Sequence, residues 1–222
     1  MKHVVLGWAR GGLGYVTELL RSSGTDIHVG TTFGPDTTAE NLEQRLSTAK
    51  DYEVSPYLVP FLKHPAISEA NVTFVVRDPM RVLNSIYFHG LFHNEKKTPL
   101  SEFSFKHLTG FENRYKGCPG QAICAYLWNW YRLSKDSCPQ LYTARVEEGP
   151  AELRKHFGLP PSDRYVEPYK NTSYCKQTIL PSQLPENGKE GVRILLNKLG
   201  YHETYWEPRG GHAHYVNPDW HC

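Results

Sequence analysis

Long apolar runs are missing from this 222-residue sequence. No stretch approaches the ~20 consecutive apolar residues of a membrane-spanning helix, so no helical span is expected. The opening MKHVVLGWARGG enters an apolar strand at once and shows no leader pattern, which makes a cytoplasmic location the expectation. Charge of one sign is missing too. Lys and Arg number 25 against 23 Asp and Glu, a net charge of +2, so the chain as a whole has no pull toward nucleic acid or an anionic membrane. Any basic site must be local. Cysteine is sparse: Cys118, Cys124, Cys138, Cys175 and Cys222 are odd in number, widely spaced and contain no CxxC pair. Neither a zinc knuckle nor a redox motif is indicated, and reduced thiols are expected. His212 and His214 lack a third partner, so no metal site is expected. Asn71-Val72-Thr73 and Asn171-Thr172-Ser173 have the form of glycosylation sequons and, without a leader, read as chance. Internal repeats and low-complexity tracts are absent.

What is present is an alternation of strand and helix patterns. Val4 to Trp8 predicts a buried strand, followed by a helix over Leu13 to Ser22 with Val16, Leu19 and Leu20 on one face. Asp26 to Thr31 predicts a second strand. Thr37-Thr38-Ala39-Glu40 has the form of a capping box for a helix running through Leu46. A short strand at Tyr52 to Val54 precedes the apolar segment Pro56 to Leu62, and Val72 to Val76 is an unbroken apolar strand of the parallel-sheet kind. Asp78-Pro79 marks a helix start, with a helix to about Phe88. Phe92 to Lys116 is polar and irregular. Pro119 opens a helix to about Lys135, then come a strand at Leu141 to Arg145, a short helix at Glu152 to Phe157, a proline-rich region and a helix from Lys189 to Leu199. Strands alternating with helices imply a three-layer α/β/α domain with a mainly parallel central sheet. The length suits one domain over 1–222, with 92–117 and 160–222 as substrate or lid elaborations. Trp128, Trp130 and Tyr131 lie on the amphipathic helix and read as core.

Two loops leave the carboxyl ends of predicted strands, where open α/β sheets bind ligands. The first, GWARGGLG (Gly7 to Gly14), has the glycine spacing of a GxxxxGK[ST] phosphate loop, but Leu13 stands at the lysine position and Gly14 at the magnesium-binding hydroxyl. Nucleotide hydrolysis and kinase chemistry need both groups, so neither is expected. A GxGxxG dinucleotide fingerprint also lacks its third glycine. Backbone N–H groups at a helix start together with Arg10 still suit an anionic phosphate, while the plainer alternative is a tight turn that needs glycine. The second loop lies in FVVRDPMRVLNSIYFHGLF (Phe74 to Phe92). It sets Arg77 at a strand end and Ser85 two turns into the next helix, a planar cation and a hydroxyl donor suited to a phosphate.

With these residues the chain resembles the sulfotransferases that use 3′-phosphoadenosine 5′-phosphosulfate (PAPS), particularly the bacterial and glycan-directed branches. ARGGLGY (Ala9 to Tyr15) is similar to their 5′-phosphosulfate loop, VVRDPMRVLNS (Val75 to Ser85) to their 3′-phosphate motif, and AYLWNWYRLSK with LYTARVEE to a later helix and strand. The resemblance spans roughly Lys2 to Leu159 and implies a P-loop-like sulfotransferase fold. It assigns Arg10, Gly11, Gly12, Leu13, Gly14 and Tyr15 to the 5′-phosphosulfate and Arg77 and Ser85 to the 3′-phosphate. Arg209-Gly210-Gly211 is similar to a late Arg-Lys-Gly loop that touches the same phosphate; an ordinary surface turn is the alternative. The loop departs from the family where its serine and threonines are Gly11, Leu13 and Gly14, which leaves open a non-catalytic module that binds PAPS or its product PAP.

The implied reaction is metal-independent transfer of a sulfuryl group to a hydroxyl or amine of a glycan, lipid headgroup or small metabolite. An acceptor proton must then go to a base. Glu53, in DYEVSPYLVPFL, is expected at the end of the third strand facing the same rim, with His89 and His93 as rivals. Acceptor identity and oligomeric state are not legible in these residues.

Overall fold

The computed structural model describes residues 1–93, 98–108, 118–162, 166 and 179–201. They divide into two compact units. The first gathers the described residues of 1–77 and 131–171, the second those of 78–130 and 172–222.

The first unit is built on five parallel strands: β1 (His3–Gly7), β2 (Ile27–Val29), β3 (Tyr52–Val54), β4 (Asn71–Val76) and β5 (Tyr142–Arg145), in the order β2-β3-β1-β4-β5. The fold is thus the α/β class with a parallel central sheet flanked by helices. β1 is central and hydrophobic because it is covered on both faces: Val4, Val5 and Leu6 are fully buried. Side chains alternate across the sheet. Val5, Val54, Val75 and Ala144 meet helix α1 (Leu13–Ser22), through Tyr15, Val16, Leu19 and Leu20, and helix α7 (Gly149–His156), through Leu153. Buried Arg154 ties these helices together. Its guanidinium donates to Ser23 Oγ at 2.7 Å and Ser22 Oγ at 2.9 Å. On the opposite face, Phe74 lies edge-on between Trp8 and Tyr131, 5.5 Å from each ring centre. The short helices α2 (Leu42–Ser47) and α3 (Pro65–Ser68) complete this unit with a 3₁₀ turn, Pro56–Phe61, capped by Ser55.

The second unit contains α4 (Pro79–Phe88), α5 (Pro99–His107), the first part of α6 (Pro119–Ser137) and α8 (Glu186–Lys198). Asp78 caps α4 as its composition predicts, accepting from Met80 N–H at 2.9 Å. Its core is aromatic: Phe92 and Phe103 pack on Tyr126 and Trp130 of α6. Gly188 of α8 lets that helix press on Cys124, where a Cβ would come within 2.6 Å of the cysteine Cβ. The Cys124 thiol is pushed up to about 12 by burial.

The structure corrects three expected elements. Helix α2 starts at Leu42, not at the Thr37 box, because Thr38 and Asn41 exchange side chain–backbone bonds with each other and form a turn first. The segment 92–117 is not wholly irregular: α5 forms within it, started by a reciprocal Thr98–Ser101 capping box. The helix expected at Glu152 already begins at Gly149.

Candidate functional site

The glycine loop between β1 and α1 is shaped by close approaches. Gly7 pairs in register with Val75, and a Cβ there would lie 2.8 Å from the Val75 carbonyl oxygen. Gly11 N–H donates to Trp8 O at 3.0 Å to close a turn, and a Cβ on Gly11 would meet that same oxygen at 2.9 Å. Gly12 has φ +104°, and a Cβ there would collide with Val146 Cγ2. Between them Arg10 adopts φ +64°, alone in the left-handed region among the described non-glycine residues. Left-handed residues interleaved in a short loop turn successive N–H groups into one concavity, the nest geometry that receives anions.

Helix α1 starts at this loop with its end open. No side chain caps it, its first turn carries no acidic residue, and the first intrahelical bond is Val16 N–H to Gly12 O at 3.1 Å. The N–H groups of Gly12, Leu13 and Gly14 therefore make no hydrogen bond within the protein among the described residues, and the positive end of the helix dipole faces the loop. Leu13 does not fill the concavity with its side chain, which packs on the sheet core; Tyr15 is likewise buried there. Both belong to the loop through their backbone alone. Gly14 is exposed.

Two further cations leave the same rim of the sheet. Arg77 is half-buried and directly follows β4, whose Val75 flanks Gly7. Arg145 ends β5, paired in register with Val76. Arg145 was not singled out from the sequence, although a strand-end arginine is the same signal that drew attention to Arg77. Loop amides, Arg10, Arg77 and Arg145 thus lie at the carboxyl edge of β1, β4 and β5, at the point where the strand order reverses direction and parallel sheets bind ligands, with Asp78, Glu147 and Glu148 following them in sequence.

Ser85 belongs to the second unit, half-buried on α4. His89 is the exposed C-cap of α4, one turn beyond Ser85 and on its side of the helix. His93 is half-buried against Tyr87, ring centres 4.9 Å apart. Arg209 and Gly210 lie outside the described residues, as do His212 and His214.

Glu53 is placed differently from expectation. It is the middle residue of β3, level with Val4 and not at the strand end, and it is completely buried. Its Oε1 accepts from Lys50 N–H at 2.7 Å and Thr32 O–H at 3.3 Å, and lies 3.2 Å from His28 Nδ1. Burial pushes this carboxyl up, against the Lys50 amide, the His28 charge and the hydrogen bonds from Thr32 and His28. It is not a rim carboxylate. His28, flanked by apolar Ile27 and Val29 in β2, gave no sequence signal beyond its alternation with them.

Among the described residues, no cluster of three or more His, Cys, Asp or Glu is placed to hold a metal, and no helix is long and apolar enough to cross a membrane. No family model matches the sequence, and comparison with curated proteins finds no match. Among solved structures the fold is similar to that of a sulfotransferase from Alicyclobacillus acidocaldarius. The TM-score is 0.51 at 13% identity, covering 92% of this chain and 98% of that one. The chain has a sulfotransferase fold.

Proposed function

We propose that this chain is a sulfotransferase that takes its sulfuryl group from PAPS and passes it to a hydroxyl or amine of a glycan, lipid headgroup or small metabolite. The observation that carries this reading is the glycine loop: an open helix start and a left-handed Arg10, with Arg77 following the neighbouring strand β4, on a fold shared with a sulfotransferase. The Gly12, Leu13 and Gly14 N–H groups at the open start of α1 suit a sulfated phosphate. The reading keeps the chain as one catalytic domain, with 92–117 and 160–222 facing the acceptor.

In such a transfer the acceptor oxygen bonds to sulfur while the bond from sulfur to the 5′-phosphate oxygen breaks. Arg10 and the amides of Gly12, Leu13 and Gly14, with that of Tyr15, would meet the charge that builds on the leaving oxygen, while the expected Gly11 amide is held by Trp8 O. Stabilisation by fixed donors is the main lever available to a protein here. Arg77 and Ser85 would hold the 3′-phosphate, with Arg209 and Gly210 as further contacts; that phosphate separates PAPS from ATP. With Glu53 enclosed, the acceptor proton falls to His89 or His93. Replacing the acting histidine by Ala should cut transfer by about 10²–10⁴ with donor affinity kept.

Calorimetric titration with adenosine 3′,5′-bisphosphate against AMP tests the donor site. The bisphosphate should bind more tightly, and Arg77→Ala should remove most of the difference, about 1.5–3 kcal/mol for a charge-assisted contact. Equal binding of the two nucleotides would overturn the reading.

One observation favours a second reading, a module that binds PAPS or PAP without turnover: the loop offers no side-chain hydroxyl at Gly11, Leu13 or Gly14. Tight bisphosphate binding with no transfer to any of a broad pool of acceptors would select it.

A further inference from the structure

The proposed transfer leaves Glu53 and its neighbours unused. The carboxyl is fully enclosed, yet only Oε1 is engaged; Oε2 is buried with no partner. Besides its three contacts through Oε1, the cluster has a fourth, 2.6 Å between Thr32 Oγ1 and His28 Nδ1. Two lone pairs repel at the 3.2 Å that separates Nδ1 from Oε1, so a proton lies between them. Thr32 has one hydroxyl proton. Donating it to Glu53 makes Thr32 the acceptor of Nδ1–H, which fixes the imidazole tautomer. His28 Nε2 makes no hydrogen bond and is not among the enclosed atoms, on a side chain 31% exposed. A further proton can be added there.

Thr32 belongs to the loop 30–37, which leaves the carboxyl end of β2. Gly30 N–H to Val54 O at 3.0 Å, Asn41 Nδ2 to Asp36 O at 2.9 Å and Arg45 to Asp36 at 2.6 Å hold its two ends, and three further ties fasten its middle. Thr32 O–H is held by Glu53 and His28; the Thr32 carbonyl accepts from Arg45 Nη1 at 2.5 Å; the Phe33 carbonyl accepts from Ser55 Oγ at 2.6 Å. Only the first runs through an imidazole. Other charges around the carboxyl are already engaged elsewhere: the Lys50 ammonium on Asp26 at 3.0 Å and Arg45 on Asp36 at 2.6 Å, while β1 presents apolar Val4. His28 is the ionisable side chain in contact with Glu53.

We propose that Glu53 and His28 are a positioning pair for the loop 30–37: a proton taken up at His28 Nε2 completes a buried ion pair that clamps Thr32, and its loss loosens the loop. The direction follows from the partners. An enclosed carboxylate with one bare oxygen is tolerated best beside a cation, and the imidazolium supplies it.

The test is amide hydrogen exchange over 30–37 in the intact protein at about pH 5.5 and about pH 8, corrected for the intrinsic rate. Protection should be greater at the lower pH by on the order of tenfold. Glu53→Gln should abolish that dependence. Equal protection of the wild-type loop at both pH values overturns the proposal, as does a dependence that survives Glu53→Gln. Should Glu53→Gln not fold, Thr32→Val keeps the carboxyl–imidazole pair and cuts its tie to the loop. The loop should then lose its dependence while His28 still titrates by NMR; a persisting dependence overturns the proposal.

Discussion

Gly12 shows how narrowly single residues are constrained around the glycine loop. Its φ of +104° penalises any side chain, and Val146 occupies the space a Cβ would take. Gly12→Ala is therefore expected to cost about 1–3 kcal/mol in denaturant unfolding and to weaken adenosine 3′,5′-bisphosphate binding as the loop shifts. Retained stability and retained binding would together show that the loop is looser than this geometry. Arg10 is informative for the opposite reason. A charged residue in a left-handed conformation is unfavourable locally, and such strain persists where surrounding structure holds it. The glycines and Arg10 were legible from spacing. The reason that each glycine is glycine was not, because Val75, Trp8 and Val146 meet the loop only through tertiary pairing. Glu53 fails in the same way: sequence locates the strand within a residue, but whether its middle carboxylate faces solvent depends on β2 and the loop 30–37 folding over it.

At the scale of elements, boundaries set by local chemistry were read well. Helix α1 begins and ends at the expected residues, β3 is as expected, and α4 starts at its Asp-Pro cap. The missed helix α5 carries buried Leu100 and Phe103 but also buried Ser101 and Ser104, so its inner face is half polar and its periodicity is faint. What stabilises it is a capping box plus aromatic partners distant in sequence, Trp130 among them. The contact between α8 and α6 makes a prediction of its own. Gly188→Ala drives a methyl into Cys124 Cβ, which cannot swing aside, so unfolding free energy should fall by about 1–3 kcal/mol. Gly191→Ala, facing Trp128 at an ordinary 3.8 Å, should be neutral or slightly stabilising through helix propensity. Parallel denaturation curves of the two variants test this pairing, and equal effects would contradict it.

For the molecule as a whole, the amino edge of the sheet sets a pH dependence apart from the Glu53–His28 pair. His3 stacks on Tyr52 with ring centres 4.3 Å apart, and His156 stacks on Tyr142 at 3.8 Å while its Nε2 lies 2.8 Å from Thr73 Oγ1. Burial lowers both imidazoles; Asp51 partly offsets this at His3, and the His3 charge lowers His156 further. A lowered value means that the folded state resists protonation. The stability from these two groups is present above the ordinary histidine range, about 6.5, and is lost as pH falls through the folded values. Thermal midpoints should therefore decline below about pH 6.5, and His156→Gln should flatten that decline; an unchanged slope would clear His156 of the role. The architecture was legible because parallel strands buried on both faces carry an unmistakable apolar signature. The acceptor was not, since specificity in such folds lies in loops whose residues follow no periodic rule.

The strand order has a consequence for how the chain is made. β1 takes its neighbours from residues 52–54 and 71–76, so this apolar strand waits through the synthesis of some fifty residues for any partner in the sheet. At roughly 5–20 residues per second that delay lasts several seconds, during which a Val-Val-Leu segment stands with both ladders unmade. Translation speed over residues 8–76 should therefore govern the yield of native protein more than speed anywhere later. Slow codons there would favour chaperone capture or aggregation, and ribosome-bound nascent chains ending before β4 should bind a holdase that longer ones release.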